Sequence, residues 1–199
     1  MELFKSLTVI LLGSILINNY VLSRFLGICP FLGVSKKTDQ AVGMGVSVIF
    51  VMFLATAVTW PIQTYVLSEF GLEYLETVVF ILVIATLVQL AEITMKKYMP
   101  TLHKSLGVYL PLITTNCAIL GVTINNISDG YNFIESIVNS LGAGLGFLLA
   151  MVLFSSVRSK MEGTNVPKAL KGLPVTLFAA SIISLAFVGF SGIVDNLWG

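Results

Sequence analysis

Charge is scarce in this chain. Only 11% of its 199 residues are Asp, Glu, Lys or Arg, where soluble domains carry about 25%. So few charges cannot cover a globular surface in water, so the bilayer must be the solvent. A basic excess is missing too. The formal net charge of +1 leaves no basic face to neutralise phosphates, which excludes nucleic acid as a partner. Histidine occurs once, at His103 in a basic stretch, and reads as solvated rather than as a ligand. Cysteine occurs twice, too few for a disulfide framework. No Gly-x-Gly-x-x-Gly followed by an acid is present, so no dinucleotide site is expected in this chain. A cleaved leader is not expected either. Lys5 precedes an apolar run, but Ile17-Asn18-Asn19-Tyr20 offers no small-residue cleavage site, and apolar sequence resumes beyond it.

Apolar sequence is what the chain has: 56% of it is hydrophobic and the mean hydropathy is +0.96. A span needs roughly 20 mostly apolar residues. Six candidates emerge, at about 6–34, 41–62, 77–95, 105–127, 136–157 and 172–194. The expected fold is an all-α integral membrane protein of six transmembrane helices, forming a single domain over 1–199. Lys36 and Lys37, then Lys96, Lys97 and Lys104, then Arg158, Lys160, Lys168 and Lys171 fall in the first, third and fifth connections. The other two hold Glu69, Glu73, Glu76, Asp129 and Glu135 without Lys or Arg. The positive-inside rule puts the basic loops in the cytoplasm and both termini outside. Lys5 is the one basic residue against this, with Glu2 beside it.

The two cysteines each open a similar phrase. Cys29 begins Cys-Pro-Phe-Leu-Gly-Val and Cys117 begins Cys-Ala-Ile-Leu-Gly-Val. Each lies in the first span of its half. Gly43-Met44-Gly45 opens span two, and Gly144-Leu145-Gly146 lies early in span five. Two repeats follow, about 1–98 and 99–199. Three spans per repeat is odd, so the halves have inverted topologies, with the functional site where they meet. Chance recurrence of Leu-Gly-Val in a chain rich in these residues is the competing reading; the matching span order weighs against it. Spans one and four carry Asn18, Asn19, Gly27 and Pro30, and Pro111, Asn116 and Gly121. Glycine and proline loosen or interrupt helices. Half-helices meeting near the cysteines are therefore expected, with freed amides that favour anions.

The thiols themselves leave three readings. Free cysteine packs as a small hydrophobe. A disulfide needs both sulfurs at one depth. A metal centre is the third, and two thiolates are only half of the usual four protein ligands, so a second protein chain would have to complete it.

Asn18-Asn19-Tyr20-Val21-Leu22, the run Phe25-Leu26-Gly27-Ile28-Cys29-Pro30-Phe31-Leu32-Gly33-Val34-Ser35-Lys36-Lys37, and the run Leu110-Pro111-Leu112-Ile113-Thr114-Thr115-Asn116-Cys117-Ala118-Ile119-Leu120-Gly121-Val122 resemble the A-type membrane subunits of Rnf electron-transport complexes. The likeness extends over all six spans. The E-type subunit of the Na⁺-translocating NADH:quinone reductase is a close relative, and Ile-Cys-Pro-Phe with the Asn-Asn pair favours Rnf over it. The resemblance implies a non-hydrolytic subunit of a redox-driven translocase, namely a ferredoxin:NAD⁺ oxidoreductase that moves Na⁺ or H⁺ across a prokaryotic cytoplasmic membrane. It further implies a [2Fe–2S] cluster shared with a homologous membrane subunit of opposite topology. Cys29 and Cys117 match the ligand positions, as half of that site. Flavins, the nicotinamide site and other iron–sulfur clusters would belong to further subunits.

Other residues carry weaker signals. Arg24 reads equally as a charge near the cysteines or as a side chain snorkelling to the interface. Glu92, with Gln89 nearby, reads as paired with Lys96 on one helical face. Gly142 and Gly146 read as close helix packing. Trp60, Tyr65, Tyr74, Tyr131 and Trp198 read as an outer aromatic belt. Asn18, Thr114 and Asn116 are guesses for an ion path. Two other classes stay open, a secondary transporter with an inverted repeat and a purely structural anchor for soluble redox subunits.

Overall fold

The computed structural model describes residues 2–35, 38–98, 110–161, 167 and 172–198. His103, Lys36, Lys37, Lys104, Lys168, Lys171 and the side chains of Glu2, Glu73, Lys96 and Trp198 lie outside the described set, so the readings placed on them rest on sequence alone. Helix α1 (Glu2–Leu12) runs into a π turn at Gly13–Ile17. After an irregular stretch comes α2 (Ile28–Val34). Helix α3 (Thr38–Ile62) continues through a π turn at Gln63–Leu67 into a last turn, Ser68–Phe70. Then follow α4 (Glu76–Tyr98), α5 (Leu110–Thr114), α6 (Cys117–Ser128), α7 (Phe133–Met161) and α8 (Leu173–Trp198). No strand occurs among the described residues.

Among the described residues, two of the six expected spans are helices long and apolar enough to cross a bilayer, Thr38–Phe70 and Phe133–Met161. Spans one and four are interrupted, as expected, although the expectation rests on glycine and proline.

Helices α3 and α7 form the centre, and glycines set their closeness. A Cβ on Gly45 would lie 3.2 Å from the Leu148 Cα, and one on Gly144 would lie 3.1 Å from the Ile49 Cα. The two contacts are reciprocal: one residue offset carries Gly45 to Gly144 and Ile49 to Leu148. This offset pairs Gly43-x-Gly45 with Gly142-x-Gly144, two residues earlier than the sequence reading placed the match. Gly142 and Gly146 do pack closely, against the end of the first helix: a Cβ on either would come within 3.1 Å of a carbonyl oxygen, of Leu11 for Gly142 and of Ser14 and Ile15 for Gly146. Phe31 stacks on Phe154 with centroids 4.1 Å apart, tying α2 to α7.

The two ends of the bundle are closed by different contacts. At one end the Trp60 Nε1 donates to the Tyr131 carbonyl at 3.0 Å, and its ring meets Phe133 edge-on. At the other, the Arg158 Nη1 donates to the Leu32 carbonyl at 2.8 Å and to the Ser35 Oγ at 2.9 Å. This capping of α2 by a cation suits the negative end of a helix. The acidic connection at Asp129 thus shares an end with Trp60, and Arg158 shares one with the turn that leads to Lys36. Outward, Val78, Leu82, Leu90 and Ile93 of α4 and Phe178, Ile182 and Leu185 of α8 are exposed. In water such apolar faces would be a liability; against lipid or a membrane partner they are not.

Candidate site at the two helix breaks

The first break is held by one side chain. Asn19 is fully buried; its Oδ1 accepts from the Val21 and Leu22 amides at 3.0 and 3.2 Å, and its Nδ2 donates to the Gly146 carbonyl at 2.9 Å. The Leu26 amide turns back to the Tyr20 carbonyl at 2.7 Å, and the Ser184 Oγ of α8 donates to the Leu22 carbonyl. Irregular backbone at membrane depth needs such internal partners. Phe25 takes a left-handed φ of 56° and stands exposed, and Gly27 takes φ 83° as the N-cap of α2. Only glycine adopts that conformation freely, and there is no room for more: a Cβ on Gly27 would lie 2.9 Å from Phe147 and 3.2 Å from both Ala118 and the Asn116 Oδ1.

The second break has the same logic with different residues. Asn116 is extended (φ −73°, ψ 111°), and its Oδ1 accepts from the Ala118 amide at 3.0 Å, an N-cap for α6. Pro30 is not the breaker of the first span. It lies in the first turn of α2, after the N-cap Gly27, where a missing N–H costs little.

Both cysteines therefore occupy the first turn of the half-helix after a break. Cys29 is the second residue of α2 and exposed; Cys117 is the first residue of α6 and partly buried. The structure brings the breaks together. The Gly27 amide donates to the Cys117 Sγ at 2.8 Å, and Gly27 is two residues from Cys29. The glycine of each repeated phrase faces the other half: Gly121 against Leu26, Gly33 against Leu112. Among the described residues, no three or more His, Cys, Asp or Glu side chains gather in a set fit for a metal. Within this chain, two thiols are what the junction offers.

A cleft of about 300 Å³ opens beside Cys117, lined by Thr114, Thr115, Asn116 and Leu120 and, on α4, by Ile81, Ile84 and Ala85. Asn116 is buried, and its Nδ2 has no hydrogen-bond partner. The N-cap fixes the amide's orientation, because turning it over would aim Nδ2 at the Ala118 N–H. A buried donor left unmade costs about 1–3 kcal/mol. An acceptor-rich anion such as an iron–sulfur cluster fits this donor set: two thiols, helix N-terminal amides and one unspent amide N–H.

Arg24 belongs elsewhere. It lies over the Tyr20 ring, 5.4 Å from its centroid, and lines a polar cavity of about 200 Å³ with Ser14, Asn18, Asp129, Tyr131 and Asn139. That favours the interfacial reading of Arg24. Asn18 opens on this cavity, whereas Asn116 and Thr114 line the cleft at the cysteines; the three guessed ion-path residues do not share one site. Beside the cavity, Ser14 of the π turn donates to the Asn139 Oδ1, Asn139 to the Asn126 Oδ1, and Asn126 to the Ser136 carbonyl. Burial raises the Tyr131 phenol above its ordinary value of 10.0, with Asp129, Tyr20 and Glu135 adding to the rise and Arg24 opposing it. Sequence reading missed Asn19 as the keystone of the first break and Arg158 as the pin of α2. The Asn-Asn pair and the Arg just beyond span five are the signals that carried them.

Apolar helices, two interrupted helices joined at their breaks and a thiol in the first turn beyond each break define an all-helical membrane protein with a sulfur-bearing junction. The chain belongs to the Rnf-Nqr subunit family of membrane proteins, whose pattern matches residues 7–194. It is 57% identical over 187 residues to the A-type subunit of the Na⁺-translocating ferredoxin:NAD⁺ oxidoreductase complex of Acetobacterium woodii, covering 94% of this chain and 97% of that one. It is 52% identical over 192 residues to the A-type subunit of the ion-translocating oxidoreductase complex of Syntrophotalea carbinolica, covering 96% and 100%. It is 49% identical over 185 residues to the protein of the same name in Aliivibrio fischeri, covering 93% and 96%.

Proposed function

We propose that this chain is the A-type membrane subunit of an ion-translocating ferredoxin:NAD⁺ oxidoreductase of the Rnf type, and that Cys29 and Cys117 are half of the ligand set of a [2Fe–2S] cluster. The other two thiolates come from a homologous membrane subunit of opposite topology. Flavin and further iron–sulfur centres reside in other subunits of the complex. Six spans in two inverted halves, with both termini outside and the basic loops in the cytoplasm, are part of the proposal. The reciprocal Gly45–Leu148 and Gly144–Ile49 contacts support the inverted repeat.

One observation carries the reading: both cysteines stand in the first turn after a helix break, and the breaks are bonded to each other through the Gly27 amide and the Cys117 sulfur. Packing cysteines need no such placement. When bound, a [2Fe–2S] cluster takes up and passes on one electron. The chain's own part is to supply two thiolates, aim amide dipoles at them and exclude water with Ile84, Leu120 and Phe147. Two irons, two sulfides and four thiolates would carry formal charge of about −2 oxidised and about −3 reduced, so this shell must stabilise an anion in a medium that penalises it. Added negative charge at the two cysteines pulls on the amides of both interrupted helices at once. A change in how the two breaks fit together would shift the halves between inward- and outward-open states and so couple electron flow to movement of Na⁺ or H⁺.

The test is ferredoxin-driven formation of a membrane potential in vesicles carrying the complex. Cys29→Ser and Cys117→Ser are each expected to abolish it. A potential formed at the wild-type rate by both variants would overturn the reading and favour a structural anchor.

A further inference from the structure

The unspent amide of Asn116 has a use that the helix cap does not explain. An N-cap needs only a side-chain oxygen, and serine or aspartate serves as well. Asn116 adds a second arm, Nδ2, which is buried, has no partner among the described residues and is next in sequence to Cys117. The cleft that Asn116 lines is apolar on its α4 side, from Ile81, Ile84 and Ala85. The Cys117 sulfur already accepts the Gly27 amide at 2.8 Å. Hydrogen bonds to the sulfurs are a main determinant of the potential of an iron–sulfur centre, because they stabilise the more negative, reduced form.

We infer that Asn116 is a potential-setting residue: its Nδ2 donates to a sulfur of the iron–sulfur group held through Cys117, either an inorganic sulfide or a ligating thiolate, and acts together with the Gly27 amide. This rests on the function proposed above. Asn116 is a positioning residue, not a ligand; it holds the cap with one end of its amide and the reduced form of the centre with the other. The cap orients the donor, so one side chain couples the geometry of the second break to the redox state at Cys117.

The experiment separates the two ends of the amide. Asn116→Ser keeps a capping oxygen and removes the donor. Asn116→Asp keeps both cap and length and puts an acceptor where the donor was. In the intact purified complex, the reduced-state EPR signal that disappears in Cys117→Ser identifies this centre among the others. Its midpoint potential is then titrated in wild type and both variants. Asn116→Ser is expected to cut the preference for the reduced form about tenfold, a fall of about 59 mV for one electron, and Asn116→Asp to lower it further. Iron content stays at the wild-type level. An unchanged midpoint in a variant that keeps its iron overturns the inference, as does loss of iron in both, which would make Asn116 a structural cap only. If wild type shows no signal that Cys117→Ser removes, the proposed cluster fails rather than the role of Asn116 alone.

Discussion

The backbone N–H of Gly27 donates to the Sγ of Cys117 across 2.8 Å, although 90 residues separate them in sequence. That bond ties the first helix break to the first residue after the second. It depends on Gly27 in two ways: the left-handed φ of 83° aims the amide, and the absent side chain lets Asn116, Ala118 and Phe147 close around it.

Replacing Gly27 by Ala tests both. The new Cβ would sit 2.9 Å from the Phe147 ring in a conformation that L-residues avoid. The expected loss is roughly 1–3 kcal/mol of stability, read as a lower unfolding midpoint of the purified complex in detergent. A midpoint equal to wild type would mean that the breaks do not meet as described.

The α3–α7 contact makes a paired prediction. Gly144→Ala would place a Cβ 2.8 Å from the Ile49 Cγ1, and overpacking of this kind costs about 1–3 kcal/mol. Trimming the partner, Ile49→Ala, should recover part of that loss in the double variant. Gly45→Ala with Leu148→Ala should behave the same way, because the contacts are reciprocal. Strict additivity in both thermal-denaturation cycles would contradict the packing.

Arg158→Met should loosen the second half of span one. It removes both hydrogen bonds to α2, at the Leu32 carbonyl and the buried Ser35 hydroxyl. The expected cost is about 1–3 kcal/mol, with faster hydrogen exchange confined to 28–35. Exchange unchanged there would show that Arg158 does not hold the helix.

Tyr131 should ionise above its ordinary 10.0. The folded value is raised, so the neutral phenol is the favoured form in the native protein. Its stabilising contribution is complete below the unfolded value and is lost as pH rises through the folded one. Ultraviolet titration of wild type against Tyr131→Phe should show one phenol ionising late. A difference spectrum that titrates at or below 10 would refute the burial described.

Much of this was legible in sequence because the bilayer is a demanding solvent. An all-helical membrane chain follows from scarce charge, and the breaks follow from Gly27 and Asn116 in long apolar runs. The finer points were not legible. Pro30 looks like a breaker, yet it occupies a first turn, where proline is tolerated, and the left-handed Gly27 does the breaking. The glycine register between α3 and α7 slipped by two residues, since Gly142, Gly144 and Gly146 offer two equivalent Gly-x-Gly pairs and only packing chooses between them. Arg24 was balanced between two roles that differ by which cavity it enters. The Asn19–Gly146 and Arg158–Leu32 bonds join residues more than a hundred positions apart, beyond the reach of any local pattern.

The most direct test of the central claim is iron analysis with reduced-state EPR on the intact complex, comparing wild type with Cys29→Ser and Cys117→Ser. The account predicts that each variant loses two irons and the same one EPR signal, while the remaining centres keep theirs. Full iron content and an unchanged spectrum in both variants would contradict it, and the two cysteines would then be packing residues at a junction of helices.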